Sequence, residues 1–301
     1  MFAFVPFVFK KGLNTKEHKV KSKAHKGFYY VFCKYIEIKN IQNEDMKTKE
    51  EIVNNWLPRY TGKPIETFGK YFLLTNYSYY VELFAKWNNV AVEGKDKNMP
   101  SATADGITII NFGMGSPNAA TIMDLLSAVS PAAVLFLGKC GGLKKKNTLG
   151  DLILPIAAIR SDGTSNDYLP NEVPALPAFK LQSAISATIT RYNREYWTGT
   201  VYTTNRRVWE YDDRFKKYLV KTRAMAIDME TATIFTVGFA NEIPTGALLL
   251  VSDQPMISTG IKTEASDIKV TNDYVEIHLR IGIDALREII DNGVSVKHLK
   301  F

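Results

Sequence analysis

The 301-residue chain is 46% hydrophobic, enough to bury one large α/β core or two small ones, which excludes a disordered class. Its net charge of +7 is uneven: residues 1–45 hold nine lysines against four acidic residues, a net of +5, leaving +2 for the remainder. That nearly balanced remainder argues against a nucleic-acid partner and suits a small anionic substrate, while two distant cysteines, Cys33 and Cys140, with no Cys/His cluster at ligand spacing, point to a cytoplasmic setting and no metal.

In chain order, residues 1–45 combine an aromatic opening (Phe2, Phe4, Phe7, Phe9), a lysine-rich middle and Gly27-Phe28-Tyr29-Tyr30. The opening apolar run is broken by Pro6 and ends at Lys10-Lys11, too short to span a membrane and wrongly ordered for a secretory signal. Met46-Lys47-Thr48-Lys49-Glu50 has the character of a natural start. Residues 1–45 are therefore expected to lie outside the fold, with a basic membrane or nucleic-acid tail as the alternative. Residues 46–301 are expected to form a single catalytic domain.

From Lys49 onward apolar runs alternate with helical patterns, as in a three-layer α/β/α domain. Strands are expected at Tyr71–Leu74, Ile107–Phe112, Val134–Leu137, Leu152–Ile159, Gly199–Thr203, Met225–Met229 and Ala247–Val251. Helices are expected at Lys49–Trp56, Tyr77–Trp87, Pro117–Val129, Pro177–Tyr192, Asp213–Lys221, Glu230–Asn241 and Val270–Asn292. In the last, Tyr274, Ile277, Ile281 and Ala285 share one face and Gly293 supplies a stop.

The candidate chemistry gathers at the strand ends. Asn111-Phe112-Gly113-Met114-Gly115-Ser116-Pro117 opens a helix, with Ser116 suited to the N-cap, so the amides near Gly115 and Ser116 suit an anion; an unliganded turn is the alternative. Gly138-Lys139-Cys140-Gly141-Gly142-Leu143 reads as a second Gly-rich turn that could sit against a base or sugar, or simply be a tight turn with a buried thiol. Asp228 and Glu230 can accept hydrogen bonds from ribose hydroxyls and offset positive charge on the sugar; a helix-start acid is the alternative for Glu230. Asp253 follows five apolar residues, where burial should keep it protonated enough to act as an acid, unless it only caps a turn. Arg206 and Arg207, followed by Trp209 and Tyr211, offer guanidinium groups for a phosphate and aromatic faces for a base, and Arg160 with the loop Asp162–Tyr168 is a further contributor; surface solvation is the alternative for each arginine.

Taken together these residues resemble the nucleoside phosphorylase-I superfamily and, within it, the AMP nucleosidases, over nearly all of residues 50–301. The superfamily pattern lies in the Gly138–Leu143 segment, Asp228-Met229-Glu230 and Ser252-Asp253. The narrower likeness lies in Gly199-Thr200-Val201, Thr203-Thr204-Asn205-Arg206, Trp209-Glu210, Ala226–Thr233, Ser252-Asp253-Gln254-Pro255 and His278–Ile283. The resemblance implies a central mixed, partly closed β-sheet flanked by helices and a homo-oligomer, most often a hexamer built from dimers. It implies that Asp253 is the general acid toward purine N7, that Glu230 with Met229 holds the ribose, that Asp228 supports the sugar hydroxyls, and that Gly138, Lys139, Cys140 and Gly141 line the substrate site beside Ser252.

Two departures shape the expected activity. Phosphorylases of this superfamily carry an arginine two residues before the first glycine of that segment, where it binds the attacking phosphate; here Phe136 stands there, which favours water as nucleophile. Longer AMP nucleosidases have an additional N-terminal domain linked to control by nucleotides, which residues 1–45 are too short to supply. The expected reaction is hydrolysis of AMP to adenine and ribose 5-phosphate, without covalent intermediate, metal or cofactor. The rivals are a phosphorylase or nucleosidase for unphosphorylated nucleosides, a catalytically silent nucleotide sensor, and nucleic-acid binding through the leader.

Overall fold

The computed structural model describes residues 47–293 and Val296, so the basic leader lies outside the described residues. The chain divides into units Met1–Lys49 and Glu50–Phe301, and the second carries the fold. Among the described residues there are eight strands: β1 Tyr71–Thr75, β2 Ser101–Ala104, β3 Ile107–Asn111, β4 Ala133–Gly142, β5 Leu152–Ser161, β6 Tyr196–Thr204, β7 Ala226–Asp228 and β8 Thr245–Asp253. They form one mixed sheet in the order β2-β3-β1-β4-β7-β6-β5-β8, and β4 also pairs with β8. That extra pairing closes β4, β7, β6, β5 and β8 into a ring of five, with β1, β3 and β2 as an open wing.

The helices are α1 Lys49–Thr61, α2 Ser78–Asn88, α3 Ser116–Leu125, α4 Phe179–Arg191, α5 Asp213–Thr222, α6 Thr231–Ala240 and α7 Glu264–Asp291. Strand alternation sorts the core into two faces. Phe72, Leu74, Phe136, Ala247 and Leu249 pack with Ile122, Met123 and Phe235 of α3 and α6; Leu73, Leu135, Leu137, Leu248 and Leu250 pack with Phe84, Leu181, Leu279 and Leu286 of α2, α4 and α7. Burial on both faces is why β4 and β8 read as unbroken apolar runs.

Several boundaries differ from the sequence expectation. Gly138–Gly142 is not a turn but the second half of β4, paired with β8 on one edge and with β7 at Gly141 and Gly142. Its bareness serves close packing: a Cβ on Gly138 would lie 2.4 Å from the Phe136 ring, and one on Gly141 2.9 Å from Pro255. The short polar strand β2 was not expected, yet Asp105-Gly106, both at positive φ, joins it to β3 as a two-residue hairpin turn. Helix α7 starts six residues before Val270, at a capping box made by Thr263 and Ser266. Gly115, not Ser116, is the N-cap of α3.

His278 of α7 ties three elements together from a fully buried position. Its Nδ1 lies 2.8 Å from the Tyr80 hydroxyl of α2, and its Nε2 lies 3.0 Å from the Leu248 carbonyl of β8. A neutral ring donating from Nε2 and accepting at Nδ1 satisfies both contacts. Burial pushes its pKa down to about 4 from 6.5. The unfolded chain therefore binds more protons between those values, so this group's contribution is complete above pH 6.5 and fades as pH falls toward 4, by up to about 1.4 kcal/mol per unit. Urea unfolding of wild type and His278→Asn at pH 7 and 5 should show the steeper acid loss in wild type; equal losses would refute the linkage.

Candidate active site

The C-terminal ends of β1, β4, β7 and β8 open on one cavity of about 260 Å³. Three acids line it: buried Asp228 ends β7, buried Glu230 is the N-cap of α6, and half-buried Asp253 ends β8. A β-bulge delivers the last of these. Cys140 pairs with Val251 and Gly141 with Asp253, so Ser252 is an extra residue in β8. Strict alternation would send Ser252 and Asp253 to opposite faces; with the bulge both line the cavity.

Glu230 is held by the helix-opening loop that the sequence singled out. The Gly115 amide donates to Oε1 at 2.7 Å and the Met229 amide to Oε2 at 3.3 Å. Ser116 does not cap its helix; its hydroxyl donates to the Met229 carbonyl at 2.7 Å and clamps the two segments together. Burial, reinforced by the neighbouring Asp228 charge, raises the Glu230 pKa to about 8, although these amides and Asn76 favour the charged form.

Asp228 is saturated by protein donors. Its oxygens accept from the Thr203 hydroxyl at 2.6 Å, the amides of Glu230 and Thr231 at 3.2 and 2.7 Å, and the Thr231 hydroxyl at 2.5 Å. Burial still lifts its pKa. With this set of bonds Asp228 fixes the start of α6 and the negative field beneath Glu230. Asp253 accepts from the Ser252 hydroxyl at 2.8 Å, and burial raises its pKa against Ser252, Lys262 and Arg207, which pull it down.

Cations line the same cavity. Lys139, its side chain only 3% exposed, donates to Asp267 at 3.0 Å and to Thr271 at 3.1 Å, and its Nζ lies 4.5 Å from the Tyr77 ring centroid. Lys262 reaches the same Asp267 oxygen at 3.0 Å, so two cations share one carboxylate. Arg206 is committed to Asp212 at 2.8 Å and to the Tyr211 hydroxyl at 3.0 Å. Arg207 is 3.5 Å from Glu210 and half exposed.

Of the residues singled out in the sequence, Asp228, Met229, Glu230, Lys139, Gly141, Arg206, Arg207, Trp209, Ser252 and Asp253 line this cavity. Gly115 and Ser116 act behind its wall, while Gly138 and Cys140 are not among the lining residues; Cys140 is a buried free thiol whose pKa burial raises. Arg160 organises its own loop instead, donating to the carbonyls of Ser165, Leu169, Pro170 and Val173, and Asp162 accepts from Ser165 and Thr233. Asn76, Tyr77, Glu210, Lys262 and Asp267 were not singled out for the site but line it. Asn76 and Tyr77 follow an apolar strand, the same signal that pointed to Asp253; Lys262 and Asp267 sit in a polar stretch with no such mark. Among the described residues no group of three or more His, Cys, Asp or Glu is placed to hold a metal ion, and no helix is long and apolar enough to cross a membrane.

A family model described as the phosphorylase superfamily matches residues 77–287, the stretch that supplies nearly all of this cavity. The chain belongs to the phosphorylase superfamily. Within the superfamily, it is 34% identical over 278 residues to AMP nucleosidase of Escherichia coli K12, covering 76% of this chain and 57% of that protein, so it spans a little over half of that relative's length. The crystal structure of AMP nucleosidase from Bacteroides thetaiotaomicron is 57% identical, with a TM-score of 0.73, covering 82% of this chain and all of that one. Uridine phosphorylase from Vibrio fischeri, 21% identical with a TM-score of 0.66, shares the fold of this superfamily member. The mixed, partly closed sheet that the resemblance implied is the sheet observed.

Proposed function

We propose that this protein hydrolyses the N-glycosidic bond of AMP, releasing adenine and ribose 5-phosphate. One observation carries the reading: two carboxyl groups of raised proton affinity, buried Glu230 and half-buried Asp253, open on the same cavity as Lys139, Lys262 and Arg207. Asp253 donates its proton to the purine as the bond to the sugar lengthens, so the base leaves neutral. Glu230 and Asp228 supply negative field where the ribose gains positive charge, a field that is costly in the empty site and is relieved in the transition state. Water then adds at the anomeric carbon. The identity to two AMP nucleosidases supports the choice of substrate.

Phe136 supports water over phosphate as nucleophile. Its ring is wholly buried in the core, 5.8 Å from that of Phe112, and gives the cavity no charge. The 5′-phosphate is assigned to the cations with charge to spare: Lys139 and Lys262, which share one carboxylate, and Arg207, whose partner is distant. The protein is read as cytoplasmic and homo-oligomeric. Incubation with AMP, adenosine and inosine, with and without phosphate, tests the reading. Ribose 5-phosphate from AMP without added phosphate is the expected product; phosphate-dependent ribose 1-phosphate from a nucleoside would replace this reading with a phosphorylase.

A further inference from the structure

Asn76, the first residue after β1, lines the cavity, and its Oδ1 is shielded from solvent with no hydrogen-bond partner among the described residues. Buried carbonyl oxygens are almost always paired, and one left over at a ligand cavity marks an acceptor that a bound donor completes. The side chain lies near enough to Glu230 to favour that group's charged form. Topology sets its direction relative to the acid. Strands β1 and β7 occupy one edge of β4, through Leu74 with Phe136 and Ile227 with Gly141, whereas β8 runs along the other. Asn76 and Glu230 therefore follow strands on one edge, and Asp253 ends the strand on the opposite edge.

A base protonated by Asp253 departs toward the β8 edge, so a nucleophile attacking from behind reaches the anomeric carbon from the β1 edge. We propose that Asn76 Oδ1 accepts a hydrogen bond from the attacking water and aims its lone pair at C1′, an inference that rests on the hydrolytic reading above. The C1′–N9 bond breaks with its electron pair left on adenine, which takes the Asp253 proton at N7. The water oxygen forms the new bond to C1′, and the proton it loses passes to bulk solvent. Proton exchange with solvent after product release returns Asp253 to its acid form.

The test compares wild type, Asn76→Leu and Asn76→Asp on AMP, in buffer and in buffer with methanol. Asn76→Leu should lose on the order of 10²-fold in kcat with KM within about two-fold, because only the nucleophile is misplaced. The ratio of methyl ribofuranoside 5-phosphate to ribose 5-phosphate should rise in that variant, since discrimination between the two nucleophiles is lost. Asn76→Asp, which keeps an oxygen at the acceptor position, should recover most of kcat and the wild-type product ratio. An Asn76→Leu enzyme with near wild-type kcat, an unchanged product ratio, or equal losses in the two variants would each overturn the assignment. Wild-type protein that forms no ribose 5-phosphate from AMP is a different result, and overturns the hydrolytic reading with it.

Discussion

Asp253→Asn is expected to lower kcat on AMP by about 10²–10⁴-fold with KM little changed. The amide keeps the size of the side chain and an oxygen for the Ser252 hydroxyl, which donates to the carboxylate at 2.8 Å, so the bulged end of β8 should hold its shape. What is lost is the proton. Burial keeps the Asp253 pKa above its ordinary value, so the acid form persists to higher pH than a surface aspartate would allow. An acid donates only while protonated, so wild-type kcat should fall as pH rises through that value, and the variant should lack this alkaline limb. Steady-state kinetics from pH 4 to 9 on both proteins checks the expectation, and a variant that keeps its turnover removes Asp253 from the mechanism.

Glu230→Gln should produce two effects of opposite sense. Turnover should fall by about 10²-fold or more, because positive charge developing on the ribose favours the ionised form of Glu230, a form the amide cannot adopt. Stability at pH 8 should rise. The folded protein holds the Glu230 proton up to about pH 8, whereas an ordinary glutamate releases it near 4.5, so the folded state binds more protons across that window. Stability contributed by this group is therefore lost as pH climbs through the window, and glutamine, which can still accept from the Gly115 amide, is free of that loss. Thermal unfolding should give a higher Tm for the variant at pH 8 and matching values near pH 4.5. A glutamate kept for structure alone would show the reverse: reduced Tm with kcat unchanged.

Much of this architecture was legible because its signals are local. The apolar runs at Tyr71–Leu74, Val134–Leu137 and Ala247–Val251 announced buried strands, and the polar residues ending or following them marked the cavity: Asp253 at the end of β8 and, by the same rule left unapplied, Asn76 after β1. The hairpin turn Asp105-Gly106 and the cap Thr263-x-x-Ser266 were equally local and would have supplied β2 and the early start of α7.

The chain alone determined which residue types stand at the ends of its buried strands, because burial and backbone preference act between near neighbours. Pairing across the sheet decided the rest. Gly138–Gly142 reads as a turn until β7 and β8 are laid beside it, and Asn76 meets Glu230 only when β1 and β7 take the same edge of β4. Lys139 meets Asp267 across 128 residues of sequence, a contact formed by the closing of the ring and the docking of α7. Contacts at such separations depend on how the strands associate in space, and no periodicity within a short window of residues encodes that.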